Sequence, residues 1–333
     1  MRAPDFWHTP PGLAAGLLAP FGAAWSVAAR LRRAVAQPYR APVPVVCVGN
    51  LIAGGAGKTP VVLALAALAG GEYDVHVVTR GYGGRLAGPV RVDPSRHDAL
   101  AVGDEPLLIA PHAPCWVARD RAAGIRAAVA AGAAAIILDD GLQNPSVTKD
   151  LSLVVVDAGY GFGNNRVMPA GPLREPVAAG LARADAIVLI GDDAEPVSLH
   201  GARCPILHAT LAPLAGERFR GVPIVAFAGI GRPEKFFASL RGVGAMLAAT
   251  YPFPDHHGFA DAEIDRLRAE ADTAGARLVT TAKDWVRLAP EMRAGIEVFE
   301  VELRWHHPDA MRRIFTETLR QTPDGHGRRA AGA

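Results

Sequence analysis

Residues 54–59 read Gly-Gly-Ala-Gly-Lys-Thr and follow the apolar run Val43–Val48. A buried strand feeding a glycine-rich loop that closes on Lys-Thr confines the chain to an α/β fold built around a phosphate cradle. Backbone N–H groups line such a loop, the lysine reaches the β and γ phosphates, and the hydroxyl holds magnesium. Gly54, Gly55, Ala56, Gly57, Lys58, Thr59 and Pro60 are therefore candidate residues for a nucleoside triphosphate. The strict pattern places a further glycine five residues before Gly57, where this chain has Ile52.

Apolar runs and helical stretches alternate along the chain. Val43–Val48, Val75–Thr79, Ala135–Leu138, Leu153–Val156 and Ala186–Ile190 read as buried strands, with Pro60–Ala69 and Arg119–Ala131 as helices between them. That alternation predicts a parallel sheet covered on both faces, with ligands at the carboxyl ends of its strands. A second block begins near Gly221: strands at Ile224–Gly229, Arg277–Thr280 and Val298–Val301, helices at Pro233–Leu240 and Asp261–Ala274. The expected fold is thus a P-loop parallel-sheet domain with a second, smaller α/β domain and an N-terminal membrane-associated helix. The expected divisions are 1–36, 37–218, 219–305 and 306–333, with a linker within 195–222 and a disordered polar tail from about Thr322.

The 333 residues carry a net charge of +2, too small for a field that would recruit nucleic acid. Three scattered cysteines, Cys47, Cys115 and Cys204, argue against a zinc site or a disulfide framework. From Thr9 to Ala29 there is no charged residue, and Arg30, Arg32 and Arg33 follow that stretch rather than precede it. Alanine and glycine dilute it and Pro20 interrupts it, which argues against a spanning helix. Leu13, Leu17, Phe21 and Trp25 recur every fourth residue, which predicts an interfacial helix or helical pair lying on a membrane surface. An ordinary amphipathic helix packed on the core has the same spacing.

Four other segments carry chemistry. Asp139 and Asp140 end an apolar run downstream of the phosphate loop, where a magnesium-organising carboxylate belongs. Asp104, in Gly103-Asp104-Glu105-Pro106, is either a helix N-cap or a base or metal partner. Arg80 and Tyr82 lie among glycines after a strand, and Arg174 is presented by the rigid turn Gly171–Pro176; arginine there suits a phosphate-bearing ligand. His256 and His257 are adjacent, so their rings diverge, and one imidazole oriented by a carboxylate is the more economical reading than a chelate.

Taken together these segments resemble the tetraacyldisaccharide 4′-kinase family of lipid A biosynthesis. The resemblance rests on Val48–Leu51 leading into Gly54–Pro60, on Arg80–Gly83, Gly103–Pro106, Asp139–Gln143, Gly171–Pro176, Pro254–His257 and Lys283-Asp284, in family order over about residues 1–305. It implies ATP- and magnesium-dependent phosphorylation of the 4′-hydroxyl of a tetraacylated glucosamine disaccharide 1-phosphate, giving lipid IVA. It implies two domains joined by a hinge, and attachment to the cytoplasmic face of the inner membrane through the first helix. A monomer without nucleic-acid partners is expected. Lys58 and Thr59 take the phosphate and magnesium roles, Asp139 and Asp140 the acidic pair, Asp104 the catalytic carboxylate with His256 beside it. Arg80, Tyr82, Gln143, Arg174 and Glu175 fall on the substrate or phosphate side. The chain departs from the family in Ala56, Leu142 and Asn144, where threonine, phenylalanine and histidine are more usual. The alternative is a membrane-associated regulatory P-loop ATPase, which carries an additional lysine before the loop; Ala53 stands there in this chain.

Overall fold

The computed structural model describes residues 4–191, 197–199 and 202–320. Among the described residues the strands are β1 Val45–Gly49, β2 Val75–Thr79, β3 Val90–Arg91, β4 Cys115–Val117, β5 Ala135–Asp139, β6 Leu151–Asp157, β7 Ala186–Ile190, β8 Ile206–Pro213, β9 Pro223–Ala228, β10 Met246–Pro252, β11 Arg277–Thr281, β12 Ile296–Phe299 and β13 Val301–Trp305. The α-helices are α1 Leu13–Ala34, α2 Lys58–Ala69, α3 Ala99–Val102, α4 Asp104–Ile109, α5 Arg121–Ala130, α6 Val177–Leu181, α7 Pro233–Gly242, α8 Asp261–Thr273, α9 Ala282–Trp285 and α10 Pro308–Arg320.

These strands form a nine-stranded sheet, β13-β8-β7-β6-β1-β5-β2-β4-β3, and a four-stranded sheet, β10-β9-β11-β12. The smaller sheet is parallel throughout, and the larger one is parallel except at its edges, where β3 and β13 run antiparallel to β4 and β8. Both faces of the large sheet are covered, so its central strands β1, β5 and β6 are buried at every position rather than at alternate ones. Val46 and Val48 point into the cluster under α2 and α10, while Val45 and Cys47 point into the cluster under α5. In the smaller unit Phe236, Phe237 and Leu240 of α7 pack on one face, and Ile264, Leu267 and Ala271 of α8 on the other.

Two expectations change and one is narrowed. The strand expected at Val298–Val301 divides at Glu300 into β12 and β13, which belong to different sheets. The chain thus returns to the large sheet before residue 305, and the buried Met311, Phe315 and Leu319 of α10 join the core of that sheet. The segment 195–222 contains β8, a full member of the large sheet, so the crossing lies between Pro213 and Pro223. Pro20 does not interrupt α1: its missing N–H lets go only of the Gly16 carbonyl, and Gly16 faces solvent. The tail expected from Thr322 lies outside the described residues.

Candidate active site

Four strand ends deliver the site. β1 runs into the loop at Asn50–Gly57, and α2 starts at Lys58. Gly57 has φ +83, a left-handed turn that L-residues resist, and it aims the first turn of α2 back along the loop. A Cβ on Gly54 or Gly55 would meet nothing within 4 Å, so this exposed stretch of the loop is open to an approaching ligand. The amide of fully buried Asn50 holds the loop closed by donating to the Gly54 carbonyl at 3.3 Å. Gly49 must be glycine, because a Cβ there would lie 2.5 Å from the Leu142 Cβ; the departure at Leu142 is a packing contact beneath the loop. Asn144 caps its own turn, accepting from the Ser146 N–H at 2.7 Å.

Beside the loop, β5 ends on Asp139 and Asp140. Thr79, at the end of β2, donates its hydroxyl to Asp139 at 3.0 Å. Burial, then the neighbouring Asp140 charge, push the Asp139 carboxyl up to about 6, with Lys58 opposing. Burial would raise Asp140 as well, but Lys58 at 3.7 Å and Arg174 at 2.7 Å hold it at about 2. Asp140 sits at φ +53, a strained position that turns its carboxylate toward those cations. Gln143 bridges the cluster, donating to the Asn50 carbonyl at 2.9 Å and to Glu175 at 3.1 Å. Glu175 is 1% exposed and is held by Arg183 and Arg33, so its carboxylate is spent inside the protein. Arg80 is exposed at the rim.

A second cluster forms where the two sheets' units meet. The N-cap question at Asp104 resolves against capping: Gly103 is the N-cap residue of α4, and the Asp104 carboxylate accepts from elsewhere. His256 Nδ1 lies 2.8 Å from Asp104 Oδ2. His256 has φ +59, which swings its ring away from that of His257. His257 instead meets Glu263 at 2.9 Å and stacks on Phe253. The exposed ring of Tyr82 stands 5.5 Å from His256. Asp104, Glu105 and His256 bring ligand atoms within 4.8 Å of one another. Arg287 at 2.6 Å and Lys283 at 2.8 Å already neutralise the two carboxylates, which leaves them little charge to offer a metal.

Sequence reasoning missed Arg287, Thr79 and Asp157. Asp157 ends β6 as Asp139 ends β5, and that repetition was the available signal. It accepts from Lys235 at 2.8 Å and from Arg232, both of the smaller unit.

The first helix also reaches the site. Its Trp25 indole donates to the Arg174 carbonyl at 3.1 Å, Arg33 pairs with Glu175, and Gly22 packs directly against the Val167 carbonyl. Leu13, Leu17, Phe21 and Leu31 face outward, exposed. Among the described residues α1 alone is long and apolar enough to cross a membrane.

A parallel sheet, a strand-loop-helix phosphate cradle and two carboxylates at the next strand end define a P-loop nucleotide-binding protein. The family model for tetraacyldisaccharide-1-P 4′-kinase matches residues 14–320. The tetraacyldisaccharide 4′-kinase of Rhodospirillum centenum is 53% identical over 98% of this chain and 99% of its own length. That of Dinoroseobacter shibae is 55% identical over 91% of this chain and 93% of its own. The crystal structure of Aquifex aeolicus LpxK in complex with ATP superposes with a TM-score of 0.77 at 25% identity, covering 92% of this chain and all of that one. The chain belongs to the tetraacyldisaccharide 4′-kinase family.

Proposed function

We propose that the chain transfers the γ-phosphoryl group of ATP to the 4′-hydroxyl of a tetraacylated glucosamine disaccharide 1-phosphate, giving lipid IVA. The observation that carries this reading is the Asp104–His256 contact at 2.8 Å, an acceptor-side pair made between the two units, Asp104 from α4 of the larger and His256 from the smaller, in a member of this family. A regulatory ATPase has no need of it.

The residues divide the work. The loop from Gly54 to Pro60 and the start of α2 bind the triphosphate, with Lys58 on its terminal phosphate. Lys58 and Arg174, now shared by Asp140, are the cations available to growing charge on the transferred group. Thr59, Asp139 and Asp140 offer the hard oxygen ligands that suit magnesium, which when bound neutralises phosphate charge. Asp104 accepts the proton of the sugar hydroxyl as the new bond forms, and His256 orients and shares that carboxylate. Arg80 and Tyr82, exposed at the rim, face the substrate; Gln143 and Glu175 hold the turn that carries Arg174. The smaller unit closing on the larger would exclude water and limit wasted hydrolysis.

The same reading places the enzyme on the cytoplasmic face of the inner membrane as a monomer. α1 lies in the interface rather than across the bilayer, because Gly22, Trp25 and Arg33 fasten it along the body of the protein.

Radiolabelled ATP with the disaccharide lipid in detergent, resolved by chromatography, tests the reaction. Asp104→Asn and His256→Ala should each lower lipid phosphorylation strongly and leave ATP affinity close to normal. As one proton-accepting unit, the double variant should be little worse than the worse single. Large losses of ATP affinity would move Asp104 into the metal shell and overturn the assignment.

A further inference from the structure

Lys283-Asp284 takes no part in the chemistry above, yet Asp284 is fully buried. It accepts from the Gly229 N–H at 2.9 Å and the Thr281 hydroxyl at 2.6 Å, and it seats the Arg287 guanidinium at 2.9 Å. The same Arg287 nitrogen donates to the Gly229 carbonyl at 2.7 Å. The fork is therefore fixed on one side by β9 and α9, and its other two nitrogens reach across to Asp104 Oδ2 at 2.8 and 2.6 Å. One turn earlier Lys283 meets Glu105 at 2.8 Å. Adjacent residues of α4 point about 100° apart, so each cation takes one carboxylate. His256 binds the same oxygen of Asp104 that Arg287 binds, which leaves Oδ1 to receive a proton.

We propose that Arg287, seated on Asp284, is a positioning residue for phosphoryl transfer: it clamps Asp104 Oδ2 so that Oδ1 faces the acceptor hydroxyl. The clamp spans the two units, so the base is aimed only when they are in register. This rests on Asp104 being the proton acceptor. A planar fork is needed, because an ammonium cannot hold Asp284 and Asp104 along two fixed directions at once.

Arg287 also sets the titration of the base. Burial would raise the Asp104 carboxyl, while hydrogen bonds from His256 and Arg287 hold it below the ordinary aspartate range. Lys283 adds its charge; Glu105 is paired with Lys283, Asp284 sits behind Arg287, and Asp255 lies 3.8 Å from the far nitrogen of His256. Losing Arg287 lets burial act, so the acid limb of the kcat/KM profile moves to higher pH.

The experiment compares full-length Arg287→Met, Arg287→Lys, Asp104→Asn and Asp104→Asn/Arg287→Met in the lipid phosphorylation assay from pH 5 to 9, with ATP affinity and Tm alongside. Arg287→Met should lose about 10²-fold in kcat, the usual cost of a misaimed group, with ATP affinity within about threefold. Its acid limb should rise, and Arg287→Lys should fall between it and wild type. On the Asp104→Asn background the arginine change should cost nothing further. A folded Arg287→Met with more than a third of wild-type kcat, or an unmoved limb, overturns the proposal. So does an additive loss in the double variant, the mark of a merely structural pair. Where Arg287→Met does not fold, Arg287→Lys decides: wild-type kcat and limb refute, a lowered kcat with a raised limb supports. Wild type without lipid phosphorylation would instead sink the functional reading itself.

Discussion

The sharpest expectation for α1 is that its outward side chains matter to membranes and to nothing else. Leu13, Leu17 and Phe21 are 90%, 77% and 64% exposed, more than two whole side chains of unburied apolar surface. Full burial of a leucine or phenylalanine contributes about 1.5–3 kcal/mol. A helix lying in the interface buries only its outward face, so about half the total is realised, roughly 2–3 kcal/mol. Changing all three to serine should weaken partition into vesicles about 30- to 150-fold, since each 1.4 kcal/mol is tenfold. The same side chains pack on little inside the protein, so Tm should stay within about 3 °C of wild type. Cosedimentation with vesicles containing anionic lipid, read against protein-only controls, measures the first quantity; thermal denaturation measures the second. Detergent should release wild type fully and salt only partly, because the net charge is only +2. A triple variant that still sediments like wild type would refute the assignment of membrane contact to this stripe. A large fall in Tm would show that the stripe packs on protein after all.

Lys58→Ala should cut transfer by about 10²–10³-fold while the protein stays folded, because Arg174 still neutralises Asp140; single-turnover kinetics with a Tm control reads both. Gly57→Ala should weaken ATP binding and destabilise by about 1–2 kcal/mol, since its φ of +83 and a Cβ 2.7 Å from Ile190 both oppose a side chain; calorimetric titration and denaturation check it. Asp157→Ala should cost about 1 kcal/mol near neutral pH, discounted because Arg232 and Lys235 are 29% and 51% exposed. Although burial pulls the other way, those cations hold the Asp157 carboxyl below its ordinary range. The stability it adds is therefore present above about pH 3.9 and lost as pH falls through the lower folded value, so wild type and variant should converge in strong acid.

The middle of the large sheet, β1, β2, β5, β6 and β7, was legible because these strands are buried on both faces and read as mainly apolar runs. β3, β4, β8 and β10 were not. Each lies toward or at a sheet edge with mixed exposure; β3 and β4 are only two and three residues long, and Ile206 of β8 and Met246 of β10 are half in solvent, so none reads as a sustained apolar run. The crossing back at Glu300 was hidden for a different reason: β12 and β13 are separated by a single residue, and nothing local in Ile296–Trp305 says that its halves pair with different partners.

Half of the site was legible on the same principle. The loop, Asp139-Asp140 and the Gly171–Pro176 turn are contiguous stretches whose chemistry is local, so spacing alone names them. The acceptor side is made by contacts between distant residues: His256 lies 152 positions from Asp104, and Arg287 lies 183. Spacing cannot say which of Asp104 and Glu105 meets the imidazole. Helix phase decides it: the first turn of α4 points Asp104 at His256 and Arg287, and Glu105 at Lys283. The left-handed turn at His256 is likewise unsignalled, because histidine carries no preference strong enough to announce it. That strain is kept only where surrounding contacts determine the backbone, here a His256 N–H bond to the Gly229 carbonyl at 3.1 Å. Gly229 is also the residue that fastens Arg287, so one turn after β9 sets both partners of Asp104. A change at that turn should therefore disturb the imidazole and the guanidinium together, as a change in either side chain alone would not.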